Sequence, residues 1–168
     1  MLEKEMSPIL VNVDDPRLDC TTPLTPGNAV ASIILVGTRY LLQLRDNKNG
    51  IFFPGHWGCF GGASKLGETP TETLTRELQE ELGVNVAATQ LQYFSRFDFD
   101  LQCSGRSLIW RYFYEIELGE ETLPTLRLGE GSAMQLFAAE AILKGAVPFT
   151  PYDAFALWLH INKGRLRA

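Results

Sequence analysis

From Gly62 to Val84 the chain reads Gly-Ala-Ser-Lys-Leu-Gly-Glu-Thr-Pro-Thr-Glu-Thr-Leu-Thr-Arg-Glu-Leu-Gln-Glu-Glu-Leu-Gly-Val. The middle of this run can hardly be anything but a short helix. Thr69 is a natural N-cap, Pro70 suits the first helical position where its missing N–H costs nothing, and Glu72 three residues after the threonine completes a capping box. Gly83 is placed to end the helix in a left-handed turn. The spacing therefore predicts a helix over 70–82. At 100° per residue, Leu74, Leu78 and Leu82 form one stripe, suited to packing on a sheet. Glu77, Glu80 and Glu81 form a second stripe beside it. Like charges at that spacing repel by a few tenths of a kcal/mol per pair. Bound Mg²⁺ or Mn²⁺ reverses that sign, because carboxylate oxygens are the ligands such hard cations take. A solvated acidic face, with Arg76 paired to Glu72 and Glu80, is the plainer alternative.

Length and charge narrow the rest. The chain's 168 residues suit one domain, and an apolar share of 45% supplies a packed core. A net charge of −5 makes the chain a poor general nucleic-acid binder, which needs clustered Lys and Arg, and no nucleic-acid polymer is expected as a partner. A small phosphorylated ligand is compatible if metal ions bridge the like charges. Cys20, Cys59 and Cys103 are too few and too scattered for a disulfide framework or a zinc site and fit a reducing compartment. The N-terminus does not read as a secretory signal, and no apolar stretch approaches membrane-spanning length, so a cytoplasmic protein without membrane contact is expected.

Residues 1–27, with prolines at 8, 16, 23 and 26, read as an extended arm with a short strand at Ile9–Val13. Ala29–Val36 and Tyr40–Leu44 read as a hairpin turned at Gly37-Thr38, and Trp57–Gly62 as a short apolar run. Leu91–Leu101 and Ser107–Leu118 are β-like, with Ser104-Gly105-Arg106 as their turn. Met134–Phe137 is a further strand. Ala138–Gly145 and Tyr152–Asn162 read as helices, the second with Phe155, Leu157, Trp158 and Ile161 as its apolar face. This is an α/β layered domain of the α+β type with a mixed sheet, spanning residues 28–163 and followed by a short tail at 164–168.

The run Gly62–Val84 resembles the signature of the Nudix hydrolases, Gly-x5-Glu-x7-Arg-Glu-U-x-Glu-Glu-x-Gly-U with U aliphatic. Every specified position matches, with Leu78 and Val84 as the aliphatics. The resemblance implies an α/β/α sandwich and Mg²⁺- or Mn²⁺-dependent hydrolysis of a phosphoanhydride in a nucleoside diphosphate linked to a group X. It implies Glu77, Glu80, Glu81 and the carbonyl of Gly61 as metal ligands. Arg76 would orient Glu77 or its neighbours, and Glu68 would tie the loop to the helix. Glu77 is one candidate general base and Glu130, in a later loop, is the other; Glu115, Glu117, Asp98 and Asp100 are weaker ones. Arg45, at the end of the second strand, would contact substrate phosphate or sugar. Phe52, Phe53, His56 and Trp57 could frame a base or sugar, with Trp57 better suited to the core. Cys59 reads as a small buried residue.

The identity of X stays open. Gly55-His56-Trp57 is similar to the segment before the box in GDP-mannose hydrolases, which typically lack one of the box glutamates kept here. Cys59-Phe60 stands where Phe-Pro is commoner. An isopentenyl-diphosphate isomerase-like enzyme and a non-catalytic ligand sensor share the fold, but both usually have degenerate boxes. Family members are often homodimers, and the arm leaves exchange between subunits open.

Overall fold

The computed structural model describes residues 15–19 and 21–166. The strand expected at Ile9–Val13 lies outside them. The elements that build the site are β1 (Ala29–Val36), β2 (Arg39–Leu44), β3 (Trp57–Gly58), α1 (Pro70–Leu82), β4 (Gln92–Phe99), β5 (Ile109–Glu117), β6 (Ala133–Ala138), α2 (Ala139–Leu143) and α3 (Pro151–Asn162). The strands form one mixed sheet in the order β3-β2-β1-β5-β4, with β6 also paired to β2. β1 and β2 are the expected antiparallel hairpin, and β1 runs parallel to β5 from Ala29↔Arg111 to Leu35↔Glu117.

β1 is a nearly continuous run of Ala, Val and Ile because it is covered on both faces. Val30 and Ile34 pack with Leu41, Phe60 and the leucine stripe Leu74, Leu78 and Leu82 of α1. Ala31 and Ile33 point the other way, onto Leu42, Phe113, Ile142 of α2 and Ala156 and Leu157 of α3. Alternation along one strand thus separates two cores and makes an α/β/α sandwich.

Three readings need correction. The apolar face assigned to the last helix is only half right. Leu157 is fully buried, but Phe155 and Trp158 are 54% and 45% exposed and stack on each other. Their place is taken by Asp153 and His160, buried polar residues whose partners come from the sheet. The long strands expected over 91–101 and 107–118 are shorter: a 3-10 turn at Gln102–Ser104, closed by Gly105 at φ 70°, intervenes before β5. Finally, the arm is not uniformly extended, since Pro16–Leu18 form a 3-10 turn capped by Asp15. Among the described residues no helix is long and apolar enough to cross a membrane.

Candidate active site

α1 has the ends its sequence dictates. The Thr69 hydroxyl accepts from the Glu72 amide, Glu72 accepts from the Thr69 amide, and Gly83 closes the helix in the left-handed region. Fixing both ends fixes the azimuth of the glutamates. Glu77 is mostly buried, Glu80 is half-exposed and Glu81 is buried.

Arg76 organises the first two. Its Nε and Nη2 donate to the two oxygens of Glu68 at 2.7 and 3.0 Å, and Nη1 donates to Glu77 at 2.6 Å and to Glu80 at 3.1 Å. Nη2 also donates to the Ala63 carbonyl. The pairing of Arg76 with Glu72 considered from spacing alone does not occur, because Glu72 is occupied by the capping box. Hydrogen bonds from Arg76, then from the Lys65 amide, hold the Glu68 carboxyl down at about 2. Glu68 thereby ties the loop before α1 to the helix.

Glu81 is held differently. Its Oε2 accepts from the Gly61 amide at 2.7 Å and its Oε1 from Gln43 Nε2 at 3.2 Å. Burial pushes its carboxyl up to about 7 against those two donors, with Glu77 and Glu130 adding repulsion. Burial also raises Glu77, opposed by Arg76. Glu130 is exposed, yet its charge is felt by Glu77, Glu81 and Lys48, so it faces the carboxylate cluster. The loop carrying it is anchored where α1 ends: Arg127 N donates to Leu82 O and Gly129 N to Glu81 O, at 3.0 and 2.8 Å.

The glycines preceding α1 are dictated by close approach. The amides of Ser32 and Val30 donate to the carbonyls of Phe60 and Gly62. Gly61 therefore faces Ala31 in a non-hydrogen-bonded position, and its N–H is turned away from β1 and donates to Glu81. At φ +131°, a β-carbon there would sit 2.4 Å from Val30 O, and one on Gly62 would sit 2.6 Å from the Glu77 carboxyl carbon.

Gly61, Gly62 and Ala63 form part of the wall of a cavity of about 600 Å³. Arg45, Phe52, Phe53, Trp110, Arg111 and Tyr152 also line it. The structure thus brings Arg45 to the same space as the loop before α1. Arg45 Nε donates to the Phe52 carbonyl at 2.7 Å, which anchors the aromatic loop. Phe53 holds a left-handed φ of 50° and packs edge-on against Tyr152. His56 lies outside this wall and Trp57 packs on Phe137. Cys59 is buried, with its thiol pushed up by desolvation. Asp98 pairs with Arg96, and Glu115 with His160 and Lys163 on the α3 side, so neither faces the box. Sequence reasoning missed Gln43, Gly129 and the pair Arg111–Asp153, each of which acts on residues far away in the chain.

Among the described residues no three His, Cys, Asp or Glu side chains converge closely enough to hold a metal ion as they stand. Arg76 and Gln43 hold the box glutamates instead. The donor set nonetheless suits a hard cation: three carboxylates, two of them buried or mostly buried and one half-exposed, against a loop whose two glycines leave room for nothing larger.

The model of the NUDIX domain matches residues 25–157. The chain belongs to the Nudix family. A nucleoside triphosphatase NudI from Enterobacter sp. (strain 638) is 40% identical over 63 residues, which are 38% of this chain and 44% of that protein. The chain thus spans less than half the length of that Nudix relative in the match. Among solved structures, a MutT NUDIX hydrolase from Burkholderia pseudomallei is similar with a TM-score of 0.62 at 22% identity, over 80% of this chain and 97% of that one. A bifunctional NMN adenylyltransferase/ADP ribose pyrophosphatase from Francisella tularensis, complexed with AMP and a manganese ion, matches with a TM-score of 0.59 at 18% identity, over 86% of this chain and 43% of that one. At these identities the structural likenesses establish the Nudix fold.

Proposed function

We propose that this Nudix protein hydrolyses a phosphoanhydride bond in a nucleoside triphosphate or a related nucleoside diphosphate derivative, with Mg²⁺ or Mn²⁺, and that residues 28–163 are the catalytic unit. The carrying observation is the seating of the Glu77 carboxylate against Gly62, a glycine that is also part of the cavity wall. The nucleoside triphosphatase named among its relatives and the manganese and AMP of the Francisella tularensis structure support the reading.

Glu77, Glu80, Glu81 and the Gly61 carbonyl are the groups that would hold the cation. When bound, the cation would neutralise the pyrophosphate and lower the pKa of a coordinated water. Arg76 is a positioning residue: its fork fixes Glu77 relative to Glu68 and Ala63. Glu77 and Glu130 are the two candidates to take a proton from water, the first mostly buried, the second exposed. Arg45 would meet the substrate's phosphates or sugar, while Phe52 and Phe53 supply ring faces and edges for a base.

A panel of nucleoside triphosphates, nucleoside diphosphate sugars and dinucleotides, assayed with Mg²⁺ for released phosphate, pyrophosphate or nucleotide, tests the reading. Turnover of at least one member, reduced by at least about tenfold in Glu80→Gln, is expected. No turnover across the panel, with nucleotide still bound, would instead establish a ligand sensor.

A further inference from the structure

The cavity contains a guanidinium whose placement the proposed chemistry does not explain. Arg111, on β5, is buried except for 13% of its side chain. Its Nη2 donates to Asp153 Oδ1 at 3.0 Å, and its Cζ lies 4.5 Å from the centre of the Tyr152 ring. Charge and plane are both set. However, Nε is buried without a hydrogen-bond partner, and Nη1 has none among the described residues. A buried N–H left unpaired is costly, and natural sites keep such a donor when something else supplies the acceptor.

Asp153 cannot supply more. Its Oδ1 is taken by Arg111, and its Oδ2 accepts from the Thr150 hydroxyl at 2.7 Å and the Cys59 amide at 3.0 Å. Since a guanidinium only donates, the Arg111 corner of the cavity offers donors and no free carboxylate acceptor. The positive charge is meanwhile balanced by Asp153. That corner suits a neutral acceptor better than a phosphate.

Position supports the same conclusion. Ala29 pairs with Arg111 on one side and with Ala63 on the other. Arg111 therefore lies two strand spacings, roughly 9.6 Å, from the loop beside the box glutamates. That separation matches a nucleotide reaching from its 5′-phosphate to the far edge of its base. Aromatic rings flank the path: Tyr152 under the guanidinium, Phe53 edge-on to Tyr152, and Trp110 in the wall.

We propose that Arg111, clamped by Asp153 and Tyr152, is a specificity-determining residue that donates to the carbonyl at guanine O6 or at O4 of thymine or uracil, selecting those nucleotides over adenine nucleotides. An adenine amino group would set N–H against N–H beside a guanidinium that already carries one buried unpaired donor, the kind of mismatch that sites reject strongly. The proposal rests on the base end of the substrate occupying this cavity.

The first test needs no variant. kcat/KM is measured for GTP, ITP, 2-aminopurine riboside triphosphate, UTP and ATP. ITP, which keeps the O6 and N7 acceptors, should match GTP. The 2-aminopurine nucleotide, which lacks O6, and ATP should fall by at least about tenfold. Next, Arg111→Gln should shrink the GTP/ATP ratio by at least about tenfold, while Arg111→Lys, which keeps a donor and a charge beside Asp153, should preserve its direction. Equal kcat/KM across the bases, or variants that lower every nucleotide by the same factor, would show that Arg111 is only a structural partner of Asp153. Equilibrium dialysis of GMP and AMP in EDTA separates this proposal from the hydrolytic one. GMP preference without turnover would sustain the base reading and sink the hydrolase. Turnover without base preference would do the reverse.

Discussion

The carboxyl group of Glu77 fills the space that any side chain on residue 62 would need: a β-carbon there would lie 2.6 Å from the Glu77 Cδ and 2.7 Å from both its oxygens. The glycine that begins the box and the glutamate fifteen positions later are thus two halves of one packing arrangement. Glu77 cannot turn aside without also leaving Arg76, 2.6 Å away.

Gly62→Ala should therefore act mainly on the site. Gly62 carries no left-handed φ requirement, so the added methyl must push the Glu77 carboxylate outward and leaves the backbone acceptable. Nucleotide hydrolysis should fall by about a hundredfold or more while thermal stability changes little. Gly61→Ala is the contrasting variant. Its methyl would meet the Val30 carbonyl at 2.4 Å, in a backbone conformation that L residues rarely adopt. That variant should lose both stability and activity, as circular dichroism melts and rate assays would show.

These contacts mark the boundary between what was legible in the sequence and what was not. α1 could be read to the residue because its caps and its leucine stripe are local, with every relevant pair within four positions. The distant partners of the buried polar side chains could not. Gln43 bonds Glu81 across 38 positions, and Arg111 meets Asp153 across 42. The buried face of α3 was misread for a related reason. Asp153 and His160 are polar, so periodicity sends them to solvent; the sheet supplies Arg111, Glu115 and Tyr40 to satisfy them, and Phe155 and Trp158 are left outside.

Arg76→Lys should show how much of the site depends on a fork. A lysine keeps the charge but can replace neither the two-point contact with Glu68 nor the simultaneous reach to Glu77 and the Ala63 carbonyl. Activity should drop at least about tenfold through kcat if, as proposed, Arg76 positions a group that acts on the substrate. A change confined to KM would assign Arg76 to substrate binding instead.

Cation binding has a readout independent of turnover. A ligand that binds only the folded state raises Tm with concentration. Melts with increasing MgCl₂ or MnCl₂ should shift upward in the native protein, because the cation offsets repulsion among Glu77, Glu81 and Glu130. In a Glu77→Gln/Glu80→Gln variant the shift should vanish. A shift of equal size in both proteins would move the cation away from α1.

The leucine stripe predicts a stability effect with little chemistry in it. Leu78 is fully buried between α1 and the sheet, among Val30, Phe60 and Leu82. Leu78→Ala should cost about 2–5 kcal/mol in urea unfolding, the range for a large-to-small change in a packed core. Because Leu78 adjoins Glu77, some loss of rate should accompany it, but smaller than in Gly62→Ala.

The buried histidine sets the acid limit of the fold. His160 Nε2 lies 2.7 Å from Glu115 Oε2, and because a carboxylate only accepts, the neutral ring keeps its proton on Nε2 and leaves Nδ1 to accept from the Tyr40 hydroxyl 3.0 Å away; Lys163 shares the Glu115 oxygen at 2.6 Å. Phe94 and Tyr40 pack edge-on against the ring. Burial lowers the His160 pKa from its ordinary 6.5, outweighing the pull of Glu115. On acidification the unfolded chain therefore takes up this proton first, so the contribution of His160 holds above pH 6.5 and is lost as pH drops below it. Glu115 adds a second loss at lower pH. Burial raises its carboxyl, but Lys163 and His160 outweigh that and bring it below 4.5, so its contribution is present above 4.5 and disappears as pH falls through the folded value. Glu81, whose carboxyl burial pushes up to about 7, works the other way over the same range, so the histidine is read from the difference between native and His160→Gln urea midpoints measured from pH 8 to 4. That difference should be constant above about 6.5 and turn against the native protein below it, while the later loss from Glu115 persists in both. A midpoint that rises on acidification from pH 7 to 6 in the native protein, and not in the variant, would mean that His160 is charged in the fold.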